Sequence, residues 1–205
     1  ADDEGMRYLI EARGLAEETI RHFKVGLKTY PDGKFFAFPH FRKGQLVNIL
    51  YRSYPPDKRF RQIDGAEHIL FNEDDLIGRE EVTLTEGQPD AMTLWQNGIG
   101  RTPDHGVGSI PQGVKTILPG WFSVLTAAKR INLVFDTDPS GRKAVGLFAA
   151  RFGYRRCFDI VLPHVKNQKV DANKFFLSGN GALEEYQRLY VQASLADLEG
   201  VKSVE

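Results

Sequence analysis

Two short apolar runs in this 205-residue sequence end in acidic residues, and they constrain the fold more than any other feature. Residues 82–85 lead into Glu86, and residues 131–135 lead into Asp136 and Asp138. Each acid is followed by turn residues and then by a helical pattern, so both runs read as buried strands of a parallel sheet. Because parallel strands bring their carboxyl ends to one edge, we expect the three carboxylates to lie together there.

The order of elements along the chain predicts an α/β fold. After residue 78, strand-like runs alternate with helical patterns, which is typical of right-handed crossovers in a mainly parallel central sheet. Before that point the chain combines two short helices with an aromatic-rich hairpin. We therefore expect an α+β N-terminal subdomain at residues 1–78, an α/β domain at residues 79–180, and a C-terminal helix and linker at residues 181–205. The helix itself is expected to span residues 182–198.

Composition excludes several classes of protein. The chain has 27 basic and 27 acidic residues, so any contact with nucleic acid must come from local patches. The single cysteine, Cys157, excludes an internal disulfide and a cysteine-rich zinc site within this sequence. No apolar run approaches the roughly 20 residues that cross a bilayer. We expect a cytoplasmic protein without a membrane partner, or an organelle-matrix protein whose targeting segment has been removed.

Residues 34–62 interleave basic and aromatic side chains. Two strand-like runs flank a turn at residues 42–45, and a short basic run follows the loop at residues 53–57. This composition is expected where a protein holds phosphates and stacks bases. The alternative is a solvated strand face, where such cations occur routinely. The candidate phosphate-binding residues are Arg52, Lys58, Arg59 and Arg61.

The acidic edge has the chemistry of a divalent-cation site. Mg²⁺ takes oxygen ligands, and one or two carboxylates together with substrate phosphates usually hold it. Clustered carboxylates repel one another unless a cation binds. Such a cation lowers the pKa of an attacking hydroxyl and neutralises charge on a phosphoryl group. The alternative for Asp138, which precedes Pro139, is a helix N-cap.

Four segments, in this order along the chain, resemble the Toprim family, which is shared by bacterial primases, topoisomerases and some nucleases. Its hallmarks are a Glu after one strand and an Asp-x-Asp after a later one. The resemblance narrows to the primase region of T7-type phage primase-helicases and Twinkle-like proteins, and residues 13–20 and 36–52 resemble the N-terminal subdomain of that core. The four segments are Leu84-Thr85-Glu86-Gly87-Gln88-Pro89-Asp90-Ala91, Val107-Gly108-Ser109-Ile110-Pro111-Gln112-Gly113, Phe135-Asp136-Thr137-Asp138-Pro139-Ser140-Gly141-Arg142-Lys143-Ala144 and Lys169-Val170-Asp171-Ala172-Asn173.

The resemblance implies a Toprim-type α/β domain and a role for each acid. Glu86 would be a metal ligand and candidate general base, and Asp136 and Asp138 would hold a pair of Mg²⁺ or Mn²⁺ ions. Asp90 would bind metal through water, and Asp171 would be an outer acidic contributor. The residues implied to bind nucleotide or nucleic acid are Arg52, Lys58, Arg59, Arg61, Arg142 and Lys143. One departure from the family is Val170, which separates Lys169 from Asp171.

What the resemblance implies is the RNA polymerase core of a DNA primase, which joins NTPs into an RNA primer on a single-stranded DNA template. A replicative helicase domain is expected in the same full-length chain. Two alternatives stay open: a catalytically silent Toprim module that holds DNA beside a helicase, and a Toprim nuclease or topoisomerase. The complete acidic set argues against the first, and the basic segment 34–62 favours a primase over the second. The four-cysteine zinc module of active primases is missing from this sequence.

Overall fold

The computed structural model describes residues 3–54, 57–111, 117–163 and 170–195, and its first unit is a four-stranded antiparallel sheet. Two short helices precede this sheet: α1 (Asp3–Arg7), continued by a π-helical segment (Tyr8–Ala12), and α2 (Glu17–His22). The strands lie in the order β1-β2-β3-β4. Their bounds are β1 (Gly26–Tyr30), β2 (Gly33–Arg42), β3 (Gln45–Ser53) and β4 (Phe60–Arg61).

The expected hairpin between β2 and β3 is confirmed, and its turn follows from two residues. Arg42 pairs with Gln45, so Lys43 and Gly44 form a two-residue loop with φ of 51° and 72°. Two positive φ angles define the turn type whose twist matches that of the flanking strands. Glycine adopts this geometry without steric cost.

The second sheet has six strands in the order β10-β9-β8-β5-β7-β6. The four central strands are parallel, and the two-residue edge strands are antiparallel to their neighbours. The strand bounds are β5 (Glu81–Thr85), β6 (Arg101–Thr102), β7 (His105–Ser109), β8 (Arg130–Val134), β9 (Cys157–Asp159) and β10 (Ser194–Leu195). The expected α/β architecture with a mainly parallel sheet is therefore confirmed.

Helices cover the second sheet and connect its strands. They are α3 (Glu73–Leu76), α4 (Gln88–Gln96), α5 (Pro119–Val124), α6 (Pro139–Phe152), α7 (Ala172–Leu177) and α8 (Ala182–Gln192), with a 3₁₀ segment at Tyr154–Arg156. None of the described helices is long and apolar enough to cross a membrane.

The continuous apolar runs of β5 and β8 reflect burial on both faces. Val82 and Leu84 pack in one core with residues of α6, whereas Val134 packs in another core on the opposite face. That second core also contains Phe36 and Phe38 of β2, so the antiparallel sheet and the parallel sheet share buried side chains. The domain boundary expected at residue 78 stays a prediction.

Some elements differ from the sequence prediction. The final helix ends at Gln192 rather than at residue 198, because Ser194 and Leu195 leave the helix and pair with β9. Strand β9 stops at Asp159, and α7 was not predicted. Lys169 lies outside the described residues, as do residues 112–116 and 196–205.

Candidate active site

Two of the predicted acids meet at the carboxyl ends of β5 and β8. Thr85 pairs with Val134 in parallel register, so the residues that follow these strands leave the sheet at the same edge. Glu86 Oε1 accepts a hydrogen bond from the backbone N–H of Asp136 at 3.2 Å. Asp136 is only 8% exposed. The structure therefore brings Glu86 and Asp136 together where the sequence predicted.

Asp138 is the N-cap of α6. Its Oδ1 accepts a hydrogen bond from the backbone N–H of Gly141 at 2.8 Å, and its extended backbone is that of a capping residue. Pro139 follows at the first helical position, where a missing N–H costs nothing. The capping interpretation is correct for this residue, and its role as a metal ligand stays a prediction.

Gly141 allows the start of α6 to approach the acids. A Cβ atom at this position would collide with the carbonyl oxygen of Asp136 and would lie 2.8 Å from Glu86 Oε1. The absence of a side chain therefore sets how closely the helix packs against the two acid-bearing loops.

Arg142 holds the Asp136 loop in place. Its Nη2 donates to the carbonyl of Phe135 at 3.1 Å, and both Nε and Nη2 donate to the carbonyl of Asp136 at 3.4 Å. Its Nη1 forms an ion pair with Asp159 at 2.6 Å. The predicted phosphate contact of Arg142 stays a prediction, because this guanidinium is already bound to protein groups. Lys143 is exposed on the next position of α6.

Asp90 lies one helical turn beyond Glu86 and is partly buried. Burial raises the pKa of its carboxyl to about 8, and repulsion from Asp171 and then Asp136 raises this pKa further, against the lowering effect of the Asn173 N–H. Asp171 caps α7 by accepting the backbone N–H of Lys174 at 2.8 Å. Asp90, Asp136 and Asp171 are therefore close enough to repel one another, which favours a bound cation.

The donor set at this edge fits a hard divalent cation in its chemistry, since all its side-chain donors are carboxylate oxygens. Among the described residues, no three His, Cys, Asp or Glu side chains are already arranged around one point that could hold an ion. Mg²⁺ usually completes its shell with water and substrate phosphate rather than with a full set of protein ligands. The absence of a closed protein cage is compatible with that mode of binding.

Asn173 connects the acidic edge to the N-terminal helices, a role that sequence reasoning missed. The residue is 1% exposed. Its Nδ2 donates to the carbonyl of Arg13 and to Thr93 Oγ1, both at 2.8 Å, and its Oδ1 accepts from Arg13 Nη1 at 3.3 Å. Its backbone N–H donates to Asp90 Oδ1 at 2.9 Å. The signal in the sequence was its place in the Lys-x-Asp-Ala-Asn segment, but its partners could not be read there.

A cavity of about 130 Å³ separates the inner face of the antiparallel sheet from α4. Its lining includes Tyr8, Arg13, Phe36, Arg52, Lys58 and Pro89. Burial lowers the pKa of Arg52, the charge of Arg13 lowers it further, and Asp90 and Asp171 oppose both effects. Two predicted phosphate-binding residues, Arg52 and Lys58, therefore lie together beside the acids, and Arg13 is a third cation that sequence reasoning missed.

Arg59 and Arg61 take a different position from Arg52 and Lys58. Both form ion pairs with Asp32, in the turn between β1 and β2. Both also lie over the ring of Phe35, which projects from the face opposite Phe36 and the cavity. Their predicted contact with nucleic acid stays a prediction, and the structure places these two arginines on the outer face of the sheet.

Cys157 on β9 is fully buried, and burial raises the pKa of its thiol to about 12. A thiol in this state is not a nucleophile near neutral pH.

Comparison with known proteins connects this fold to primases. No protein-family model matches the chain. The chain is 26% identical over 186 residues to the primase homolog protein of Arabidopsis thaliana, covering 82% of this chain and 53% of that protein. It is 27% identical over 181 residues to the Twinkle homolog protein, chloroplastic/mitochondrial, of the same plant, covering 82% of this chain and 25% of that protein. The chain thus spans about half of the first relative and a quarter of the second.

A solved structure shares the architecture. The primase fragment of the bacteriophage T7 primase-helicase superposes with a TM-score of 0.69 at 23% identity, covering 88% of this chain and 71% of that chain. The chain therefore has the fold of a DNA primase core, and the resemblance read from its sequence motifs is confirmed.

Proposed function

We propose that this chain is a metal-dependent nucleotidyltransferase that makes short RNA primers on single-stranded DNA. The observation that carries the proposal is the juxtaposition of two sets of side chains. Glu86 and Asp136 meet at one edge of the parallel sheet, and the cavity lined by Arg52 and Lys58 lies beside α4, which begins immediately after Glu86. Cations beside a carboxylate edge suit a substrate that carries both phosphates and a bound metal.

Each set has a proposed task. Arg13, Arg52 and Lys58 bind the triphosphate of an incoming NTP, and Glu86 accepts the proton of the primer 3′-hydroxyl as that oxygen attacks the α-phosphorus and pyrophosphate leaves. Mg²⁺ or Mn²⁺, held by Glu86, Asp136 and Asp138, supplies charge neutralisation at the phosphoryl group when it is bound. Asp90 and Asp171 add negative charge behind these ligands.

The partners of the proposed enzyme follow from its relatives. A single-stranded DNA template, NTPs and an RNA primer are the substrates that a primase requires. The T7 protein is by name a primase-helicase, and we extend this arrangement to the full-length form of the present chain. The Twinkle homolog is named as chloroplastic/mitochondrial, which supports an organelle location, with the cytoplasm as the alternative.

One observation favours a second function. No three potential ligands among the described residues converge on an ion, and Asp138 and Asp171 are both engaged as helix caps. This arrangement suits a Toprim module that holds DNA beside a helicase and no longer catalyses transfer.

Labelled-NTP incorporation on single-stranded DNA separates the two functions. The assay is run with and without a supplied RNA primer, in Mg²⁺ and in Mn²⁺. We expect incorporation that Asp136→Asn abolishes and that Asp64→Asn, a change at an exposed acid, preserves. DNA binding without incorporation under every condition supports the silent module, and nicking of supercoiled DNA without NTPs supports a nuclease.

A further inference from the structure

Phe60 is a large aromatic residue that the fold leaves exposed. Of its surface, 52% is accessible to solvent, although Phe35 and Phe36 of the same sheet are almost completely buried. Phe60 lies on the two-residue edge strand β4. Its ring therefore contributes little to the hydrophobic core, and its position calls for another explanation.

The ring lies on the same face of the sheet as the candidate phosphate-binding residues. Phe60 is paired directly with Arg52 across β3 and β4, so both side chains project from one face. The guanidinium carbon of Arg52 is 5.9 Å from the centroid of the Phe60 ring. Arg52 and Lys58 line the cavity beside α4. Phe60 is thus an exposed ring at the rim of a cationic cavity.

A nucleotide presents the two chemical features that such a rim can recognise. Its phosphate is attracted to guanidinium and ammonium groups, and its base has an aromatic face that stacks on a side-chain ring. Arg52 also feels the charges of Asp90 and Asp171, which places it between the acidic edge and Phe60. A phosphate bound at Arg52 would carry its own base, or the base of the adjacent nucleotide, to the exposed ring.

We propose that Phe60 is a stacking platform for a nucleobase whose phosphate is held by Arg52 and Lys58. This inference rests on the proposed function, because it assigns part of the nucleotide contact for the same site. The shared chemistry is a nucleobase with its phosphate, supplied either by an incoming NTP or by a nucleotide of the template strand.

Stacking makes a demand that general apolar contact does not. A flat ring is required, so Phe60→Tyr and Phe60→Trp should retain binding, whereas Phe60→Leu should lose it despite its comparable apolar bulk. The lost contact involves no phosphate, so the dependence of binding on salt should keep its slope. Leu46 is the matched control, since it is 51% exposed on β3 of the same sheet.

The test measures binding of the full chain in two arms. One arm titrates ATP and the other titrates a labelled single-stranded oligothymidylate, in both cases with Mg²⁺ present. We expect Phe60→Ala and Phe60→Leu to weaken binding about tenfold in at least one arm, and Leu46→Ala to leave both arms unchanged. A loss confined to the ATP arm assigns the incoming nucleotide, and a loss in the oligonucleotide arm assigns the strand.

Phe60→Trp adds a direct readout, because an exposed indole should be quenched when a base stacks on it. Wild-type affinity in Phe60→Ala in both arms would overturn the platform, as would the absence of binding by the wild-type chain. Because these are binding measurements, they are independent of primer synthesis. A tenfold loss in a protein that makes no primer would sustain the platform and overturn the proposed function, and unchanged binding in an active enzyme would do the reverse.

Discussion

The carboxylate of Asp90 accepts a hydrogen bond from the backbone N–H of Asn173 at 2.9 Å, which ties α4 to the start of α7. The side chain of Asn173 continues this connection to Thr93 and to Arg13, which lie 80 and 160 residues away along the chain. One buried amide thus sets the position of a cavity cation relative to the acidic edge.

Asn173→Ala should lower the free energy of unfolding by roughly 1–3 kcal/mol, because buried partners at Arg13 and Thr93 would lose their hydrogen bonds. Urea denaturation followed by tryptophan fluorescence measures this loss. Asn97→Ala is the control, since Asn97 makes a local bond to the carbonyl of Thr93 at the end of α4. Equal losses in the two variants would contradict a special role for Asn173.

Gly141→Ala should be more damaging than Gly87→Ala, although both glycines lie beside the acids. The added Cβ at 141 would meet the backbone oxygen of Asp136, which cannot move without its loop, whereas the Cβ at 87 would lie 2.7 Å from Asp90 Oδ2, the end of a side chain. We expect Gly141→Ala to cost about 1–3 kcal/mol of unfolding free energy. It should also reduce NTP incorporation more than Gly87→Ala does. The idea fails if the two variants are equally stable and active.

The four basic residues of the antiparallel sheet should separate into two classes by salt dependence. Arg52→Ala and Lys58→Ala should each reduce the slope of log affinity against log salt for single-stranded DNA by about 0.7. Arg59→Ala and Arg61→Ala should change it little, because Asp32 already balances their charge. Fluorescence anisotropy at several salt concentrations measures these slopes. A similar decrease in all four variants would show that the outer face also binds the strand.

Acid should destabilise the protein through His40. This side chain is 1% exposed, its Nδ1 lies 3.1 Å from the carbonyl oxygen of Ile69, and its Nε2 has no hydrogen-bond partner among the described residues. Burial lowers its pKa to about 4. Between about pH 6.5 and pH 4 the unfolded chain therefore binds a proton that the folded chain does not, and stability falls as the pH falls.

The size of this effect is about 3 kcal/mol for a shift of about 2.5 units in the pKa of His40. His40→Asn can keep an N–H donor for the Ile69 carbonyl and removes the titrating group. The difference in unfolding free energy between wild type and variant, measured from pH 7.5 to pH 4.5, should narrow as the pH falls. A constant difference over that range would contradict the assignment to His40.

Much of the architecture was predictable because the decisive signals are local. The apolar runs of β5 and β8 identify buried strands, and the acids after them mark the carboxyl edge whatever the rest of the chain does. The Lys43-Gly44 turn was likewise readable from four residues. Strand β1 was not predicted because most of its side chains are exposed and it lacks apolar alternation.

The contacts that define the candidate site depend on residues far apart in sequence. The pairing of Arg59 and Arg61 with Asp32 exists only because β1 and β2 fold back beside β4, so a charge run alone could not distinguish paired from available cations. In the same way, the partners of Asn173 lie on three other segments. The early end of α8 follows from pairing of Ser194 and Leu195 with β9, which overrides the helical pattern.

Each acid at the sheet edge already has one carboxylate oxygen bonded to a backbone N–H. Glu86 is held by Asp136, Asp90 by Asn173, Asp138 by Gly141 and Asp171 by Lys174. These bonds restrict the rotamers of the acids before any ligand arrives. Fixing a free side chain costs on the order of 1 kcal/mol, so a cation entering this edge would meet groups whose conformational entropy was largely lost during folding.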